Sequence, residues 1–434
     1  MNSAPNIRSQ RGAATLWFSL VLMMAMALAA YLSNRNMAVE QRLAANQVLA
    51  AQAFEAAEAG LEWANAQLNN PLRLGDDCQA STAASAQSFR SRRVMFDAST
   101  GIHSPRTWSQ GGTALALQAV CVRKPQVATG WDCSCPTSGH PSVSISVENT
   151  QALTPAFVVT LMPAGTAGQV RVIAQGCTSY AGVCRPGVPT TGNKAEATAQ
   201  VQHLLALVGG LASAPSAALT VLGNVSTNAA IGLHTGTAGS AAVQAGGEVQ
   251  APNARIGTAA GGVASLAVTQ QDRGLSPLSE AKFFSQLFGA DVATWTGQSV
   301  VQKLTCQTDC AAALSDAMTT TDGPLLLWSE GDLTLSGPLV LGSAARPVAL
   351  VVGGSVRVSG NVQIHGLLHA ARVEWLADGA GAGTGAGRVT GAVTSASHYS
   401  GNGAPDLLHD AAVLKTLKAN SGSFARVAGS WKDF

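Results

Sequence analysis

Eight cysteines are the residues whose chemistry weighs most in this chain: Cys78, Cys121, Cys133, Cys135, Cys177, Cys184, Cys306 and Cys310. An even number of thiols in a chain that leaves the cytoplasm points to disulfides. Cys177 with Cys184 and Cys306 with Cys310 each flank a short loop and are the preferred local pairs. Cys78, Cys121, Cys133 and Cys135 then form two further bonds, with the partners left open; Cys133 and Cys135 are not joined to each other, because one intervening residue strains the bridge. A zinc site is disfavoured, since Cys133-Ser-Cys135 lacks the two-residue knuckle spacing and no second pair follows at ribbon distance.

Catalytic sets are absent from the sequence pattern. There is no phosphate-binding Walker loop, no G-x-S-x-G elbow and no H-E-x-x-H. His365 and His369 fall in a strand-like stretch, where that spacing puts them on one face but about 13 Å apart, too far for one metal ion. Glu330, Asp332, Glu374 and Asp378 are scattered rather than clustered, and the glycine-rich run Gly379 to Gly387 reads as a loop. Loop oxygens such as Asp76 and Asp77 could contribute to a calcium site, but two acids are too few to claim one. The reading is a protein without enzyme activity, cofactor or metal.

The 434 residues include 26 Lys and Arg against 24 Asp and Glu, a formal charge of +2, which argues against nucleic acid as a partner. Only 12% are charged, about half the usual share of ~25%. With 46 glycines and 47% hydrophobic residues, the composition favours a β-rich body outside the cytoplasm.

Those elements must be carried by something, and the N-terminus supplies it. From Ala13 to Leu32 no charge occurs, long enough for an apolar helix to cross a ~30 Å bilayer core. Arg8 and Arg11 precede the run and the first acid is Glu40, which places the N-terminus in the cytoplasm and the body in the periplasm. The helical pattern then continues. Val39, Leu43, Ala50, Phe54, Ala57, Leu61, Ala64 and Leu68 share one face, and no proline intervenes before Pro71. A continuous helix from Ala13 to Leu68 is about 84 Å long, the second half carrying an apolar seam for a covering domain.

The run Gln10-Arg11-Gly12-Ala13-Ala14, the apolar stretch, and the phrase from Ala53 through Glu55, Glu58, Gly60 and Trp63 to Ala64 resemble the N-terminal domain of PilX-type minor pilins. The resemblance implies cleavage by a prepilin peptidase between Gly12 and Ala13, with Ala13 as the mature, N-methylated terminus. It also implies a Glu at the fifth mature position, where this chain has Trp17. In pilins that carboxylate is thought to neutralise the amine of a neighbouring subunit; a carboxylate in lipid is otherwise costly. A subunit lacking it cannot neutralise the amine of a subunit above, so it fits best at the fibre tip. The K-type pseudopilin of type II secretion is similar in lacking this acid.

Residues 71–210 read as a sheet domain with disulfides, with strands expected at Ser142–Val147, Gln169–Ala174 and Lys194–Gln202, the latter two forming a hairpin or meander that packs on the helix. Residues 211–434 repeat short strands between glycines. Gly331 to Gly337 and Gly354 to Gly360 are one phrase written twice, Asn361 to Gly366 and Gly387 to Gly391 are looser copies, and Gly223-Asn-Val and Gly247-Glu-Val-Gln begin weaker ones. That is the pattern of a β-solenoid or flattened roll. Helices are expected after an N-cap at Ser276 with Pro277 first, burying Ala281, Phe284, Leu287 and Phe288, and from Pro405 to Ala419; each is placed as a cap on an open solenoid end. This half also resembles PilX-type assembly proteins, in the phrases Glu280 to Gly289, Leu327 to Gly337 and Arg346 to Val352 and in the terminal Gly422 to Phe434.

The fold class is therefore α+β: a leader at 1–12, a transmembrane and amphipathic helix at 13–70, a pilin-like sheet at 71–210 and a β-solenoid-like domain at 211–434. The resemblance implies a minor pilin of a type IV pilus at or near the tip, promoting assembly or surface contact. Its partners are other minor and major pilins, the prepilin peptidase and the inner membrane, and it moves from a periplasmic body to the extracellular fibre. The alternatives are the K-type pseudopilin and a single-pass membrane-anchored adhesin.

Overall fold

The computed structural model describes residues 13–97, 99–124, 130–144, 154–188, 197–236, 240–306, 310–377 and 387–434. Helix α1 spans Ala13–Leu68, 56 residues without a break, and stops three residues short of Pro71. Its buried residues Ala53, Ala57, Leu61, Ala64 and Leu68 recur at steps of four and three. Val39 and Leu43, on the same expected seam, are 51% and 56% exposed, and Ala50 is exposed too. The covered length is thus shorter than the pattern implied. Four neighbouring strands touch the helix, and at ~4.8 Å per strand such a set covers about four helical turns.

Those strands belong to a seven-stranded sheet ordered Gly422–Arg426, Thr198–Gly209, Gln169–Cys177, Ala156–Pro163, Gln118–Arg123, Trp131–Ser134, with Lys432–Asp433 also against Thr198–Gly209. All its pairs are antiparallel. The expected alternating run at Gln169 extends to Cys177 and pairs with the strand starting at Thr198. Residues 194–196 of the other expected strand lie outside the described residues. Ser142–Ser144 form no strand, and the rest of that expected strand also lies outside the described residues. Neighbouring strands of the sheet come from distant parts of the chain: Gly422 is the Cα partner of Gly209. The C-terminal strand therefore joins the N-terminal sheet rather than the repeats before it.

Among the described residues between Gly209 and Gly422 lie three parallel ladders. One stacks Leu325–Ser329 on 348–352, 366–370, 391–395, 219–221 and 243–245. The second runs through Leu333–Ser336, 356–359, 373–376, 399–401, Val225–Thr227 and Val249–Gln250. The third runs through Leu339–Leu341, 362–364, 388–390, 406–408, Gly232–His234 and Arg255–Gly257. The written-twice phrase is stacked on itself, Leu333 on Val356 and Leu335 on Val358. The weaker phrases do the same, Val225 on Val249. Corners are closed by side chains reaching one turn along: Asp332 Oδ1 accepts from Ser355 N at 2.7 Å, and Asn224 Oδ1 accepts from Glu248 N at 2.9 Å. A Cβ on Gly354 or Gly247 would fall on those same oxygens, which is why the corners are glycine.

The stacking order departs from chain order. The turn 217–234 lies against 388–409, and 241–257 lies outside it. The chain thus starts mid-stack, climbs to 268–269, and must cross to the far edge at Val301–Lys303 before winding back. The crossing uses α3 (Glu280–Phe288) and α4 (Val292–Thr296), with α2 (Phe89–Arg93) lying earlier and α5 (Ala311–Thr320) and α6 (Ala411–Asn420) later.

Two helix expectations need correction. The N-cap of α3 is Ser279, whose side chain accepts from Lys282 N, not Ser276. Residues 272–278 form turns instead, with Leu275 N and Ser276 N both bonded to Asp272 O. Phe283, not Ala281, joins Phe284, Leu287 and Phe288 on the buried face. The segment expected as helix from Pro405 begins as the strand Asp406–His409, held by its ladder partners, and the helix starts only after Asp410, whose carboxylate accepts from Ala412 N and Val413 N. Neither helix caps an end. Both lie on the outer wall, where Phe284, Trp295, Leu414 and Leu417 share a cluster with Leu326, Ala349, Leu367 and Ala392.

Candidate assembly helix and the head that covers it

Ala13 is the first described residue and opens α1, while Gly12 lies outside the described residues. Ala14–Leu32 has mean hydropathy 2.0, and none of it is covered by the rest of the chain. It contains no Asp, Glu, Lys or Arg. Trp17, where the pilin pattern has its acid, is 74% exposed on the bare helix.

The head grips the other end of α1 at two close approaches. A Cβ on Gly176 would collide with the Ala53 carbonyl and the Ala57 backbone, so this strand can cross the helix only as glycine over alanine. A Cβ on Gly60 would come within 3.1 Å of Phe157 and Ala174. Trp63 completes the contact, 5.1 Å from Phe89 and 5.8 Å from Phe157 between ring centres.

The returning C-terminus locks the lower end of the helix. Phe424 is 2% exposed, and its backbone N–H and C=O bond the Asn69 side chain at 2.7 and 2.9 Å. Arg90 lies 4.7 Å over its ring and donates to the carbonyls of Leu68, Asn420 and Gly422. Leu68 ends α1 and Asn420 ends α6, so one guanidinium serves two helix C-termini, where cations are favoured. Burial lowers the Arg90 pKa to about 10. Further along, Trp431 Nε1 donates to Glu58 at 2.7 Å and stands edge-on to Phe54, and Arg426 pairs with Glu62. His203, buried in the neighbouring strand, is held down to about 4, first by burial and then by repulsion from Arg426, with Glu62 opposing.

All eight cysteines are bridged. Cys177–Cys184 and Cys306–Cys310 close short loops, while the four left open in the sequence join as Cys78–Cys135 and Cys121–Cys133. Cys121 and Cys133 face each other across adjacent strands. Beside Cys135, Arg92 pairs with Asp76 at 2.6 Å and donates to the Leu74 and Cys135 carbonyls. Arg93 donates to Pro136 O and Gln118 O, and burial, with Arg92 nearby, lowers it to about 9 against the pull of Asp76. Asp76 is thus engaged by arginine, and Asp77 accepts from Gln79 N. Among the described residues no group of three or more His, Cys, Asp or Glu could hold a metal ion.

The remaining polar candidates do not converge. Asp332 serves a corner, Glu374 pairs with Arg357 at 3.0 Å and Glu330 is exposed. Asp378 and all of the glycine-rich run except Gly387 lie outside the described residues. His369 is buried under α3, whereas His365 is half-buried one corner away. The arginines of α2 escaped the sequence reading. Their signal was present: three in five residues, after a Ser88 cap, in a chain that is only 12% charged.

No protein-family model matches the chain. No curated protein matches it either. Among solved structures it is similar to the competence-associated pilin ComZ from Thermus thermophilus, with 12% sequence identity and a TM-score of 0.24 over 89% of this chain and 98% of that one. A superposition that loose carries no argument about fold or role.

Proposed function

We propose that this chain is a PilX-type minor pilin of a type IV pilus, placed at or near the fibre tip, where it promotes assembly or surface contact. The observation that carries the reading is α1 itself: one unbroken helix, apolar and bare from Ala14 to Leu32, then gripped by a sheet from Ala53 onward. A plain anchor has no use for that rigid continuation, whereas a subunit that passes from bilayer to helical fibre needs a bare rod fixed to a head. In this reading a prepilin peptidase removes 1–12 after Gly12, Ala13 becomes the methylated terminus, and the inner membrane holds the rod until other minor and major pilins replace the lipid around it. Trp17 leaves no in-membrane carboxylate for the amine of a subunit above, which supports a position with nothing above it. The ladders of 211–421 are read as a β-solenoid riding on the head, and the four bridges as periplasmic disulfides.

The missing acid equally favours a K-type pseudopilin, and co-isolation with sheared pili or with a secretion system separates the two. The deciding test of the class is mass spectrometry of the mature N-terminus. A methylated Ala13 is expected; an intact Met1 leaves a single-pass adhesin as the better account.

A further inference from the structure

Where α3 crosses the outer wall it leaves a cleft of about 240 Å³, lined by Glu280, Phe284, Trp328, His369, Ala371 and Ala396. Trp328, Val351, His369 and Thr394 are successive rungs of one outward-facing row. His369 is 4% exposed and sits in an aromatic nest, 5.7 Å from Phe284 and 5.4 Å from Phe288. Burial lowers its pKa to about 4, so the ring is neutral at pH 7.

A neutral imidazole has one donor and one acceptor, and its neighbours decide which is which. Thr394 Oγ1 lies 2.9 Å from His369 Nδ1 and 3.4 Å from the Leu368 carbonyl, and its single proton can turn to either. With the hydroxyl turned to the carbonyl, Nδ1 carries the ring proton. In that tautomer Nε2 is an acceptor, and no described residue donates to it. The cleft therefore offers aromatic walls, a floor of two alanines and a neutral imidazole, with the Glu280 carboxylate at the rim to repel anions. Sites of this make-up, mainly apolar with one placed polar group, bind small molecules.

We propose that this cleft binds a phenol-sized aromatic hydrogen-bond donor, its ring against Phe284 and Trp328 and its hydroxyl donating to His369 Nε2. The donor is a free phenol or the side chain of a tyrosine. The site does not depend on the filament reading, because it uses only α3 and the wall beneath it.

Calorimetric titration of the full chain in detergent tests it with four probes. p-Cresol is expected to bind saturably. 4-Methylanisole, the same ring with the donor blocked, is expected to bind at least tenfold more weakly, and 4-methylbenzoate not to bind. N-acetyltyrosinamide binding as well as p-cresol assigns a tyrosine side chain; p-cresol binding alone assigns a free phenol. Ala371→Leu is expected to abolish p-cresol binding, and Ala281→Leu, an exposed α3 residue that also lines the cleft, fills it from the helix side should the first variant lose its fold. Absence of saturable p-cresol binding, equal affinity for p-cresol and 4-methylanisole, or full binding by a folded filled-cleft variant overturns the assignment.

Discussion

Replacing Phe424 by alanine tests whether the C-terminus is part of the head or a loose tail. Phe424 is in the core beneath α1 with Leu68, Phe89 and Leu205, and its strand pairs with Thr198–Gly209. Truncating a buried phenylalanine costs about 3–5 kcal/mol, cavity included. The Arg90 guanidinium also loses the ring beneath it, worth ~0.5–2 kcal/mol when desolvated. A domain is stable by roughly 5–15 kcal/mol, so the loss is a large fraction of the whole. Phe434, 72% exposed at the end of the same tail, is the control; its removal is expected to cost less than ~0.5 kcal/mol. Urea unfolding of both variants in detergent, followed by far-ultraviolet circular dichroism, gives the comparison. Coincident midpoints for Phe424→Ala and Phe434→Ala would refute the argument that the returning strand closes the core.

The disulfides are expected to rank by the loop each closes: removing Cys78–Cys135, separated by 57 residues, costs about 4 kcal/mol by chain entropy, and Cys306–Cys310, separated by 4, about 2; equal melting temperatures for the two double-alanine variants contradict that ranking. Stability is expected to fall in acid through His203, whose folded pKa of about 4 lies below the ordinary 6.5. The unfolded chain binds that proton more readily, so the contribution is complete above about pH 6.5 and is lost as pH drops toward 4; His203→Leu should flatten the decline, and an unchanged slope rejects the assignment. Finally, because Gly209 and Gly422 are register partners, replacing 210–421 with an Asn-Gly turn is expected to leave a folded head with its antiparallel sheet; a product without strand signal shows that the sheet needs the insert.

What the sequence disclosed follows from local physics. α1 was legible end to end because an apolar run and a 3.6-residue stripe need no tertiary knowledge, and Pro71 marks the stop. The glycine-bounded phrases were legible because stacked turns repeat their own constraints, as Leu333 and Val356 do. Where partners are distant, local pattern failed. Asp406–His409 looks helical when joined to Leu414 and Leu417, yet its ladder neighbours Gly232–His234 hold it extended. The partners of Cys78 and Cys121 were undecidable, because pairing depends on which strands meet. Val39 and Leu43 carry the seam's chemistry but lie beyond the width of the sheet. Arg90 spends its charge on carbonyls of two helices about 350 residues apart in sequence, which no spacing rule can announce.

The order of the ladders explains why α3 and α4 interrupt the stack. The first turn, 217–234, lies against the last, 388–409, so the insert leaves and rejoins the sheet from adjacent turns. An insert whose ends are close strains its host little, which is why the strands ending at Gly209 and beginning at Gly422 can still pair. The same arrangement forces the chain, once it reaches 268–269, to return across the whole stack before it can start again at Val301. An extended crossing would leave backbone groups without partners against an apolar wall; a helix satisfies them internally. Hence α3 and α4 sit there, with Phe283, Phe284, Leu287, Phe288 and Trp295 turned inward onto Trp328, Val351 and Leu367. His369 is buried because this strap covers it, and the aromatic cleft beside it is a consequence of the route the chain must take.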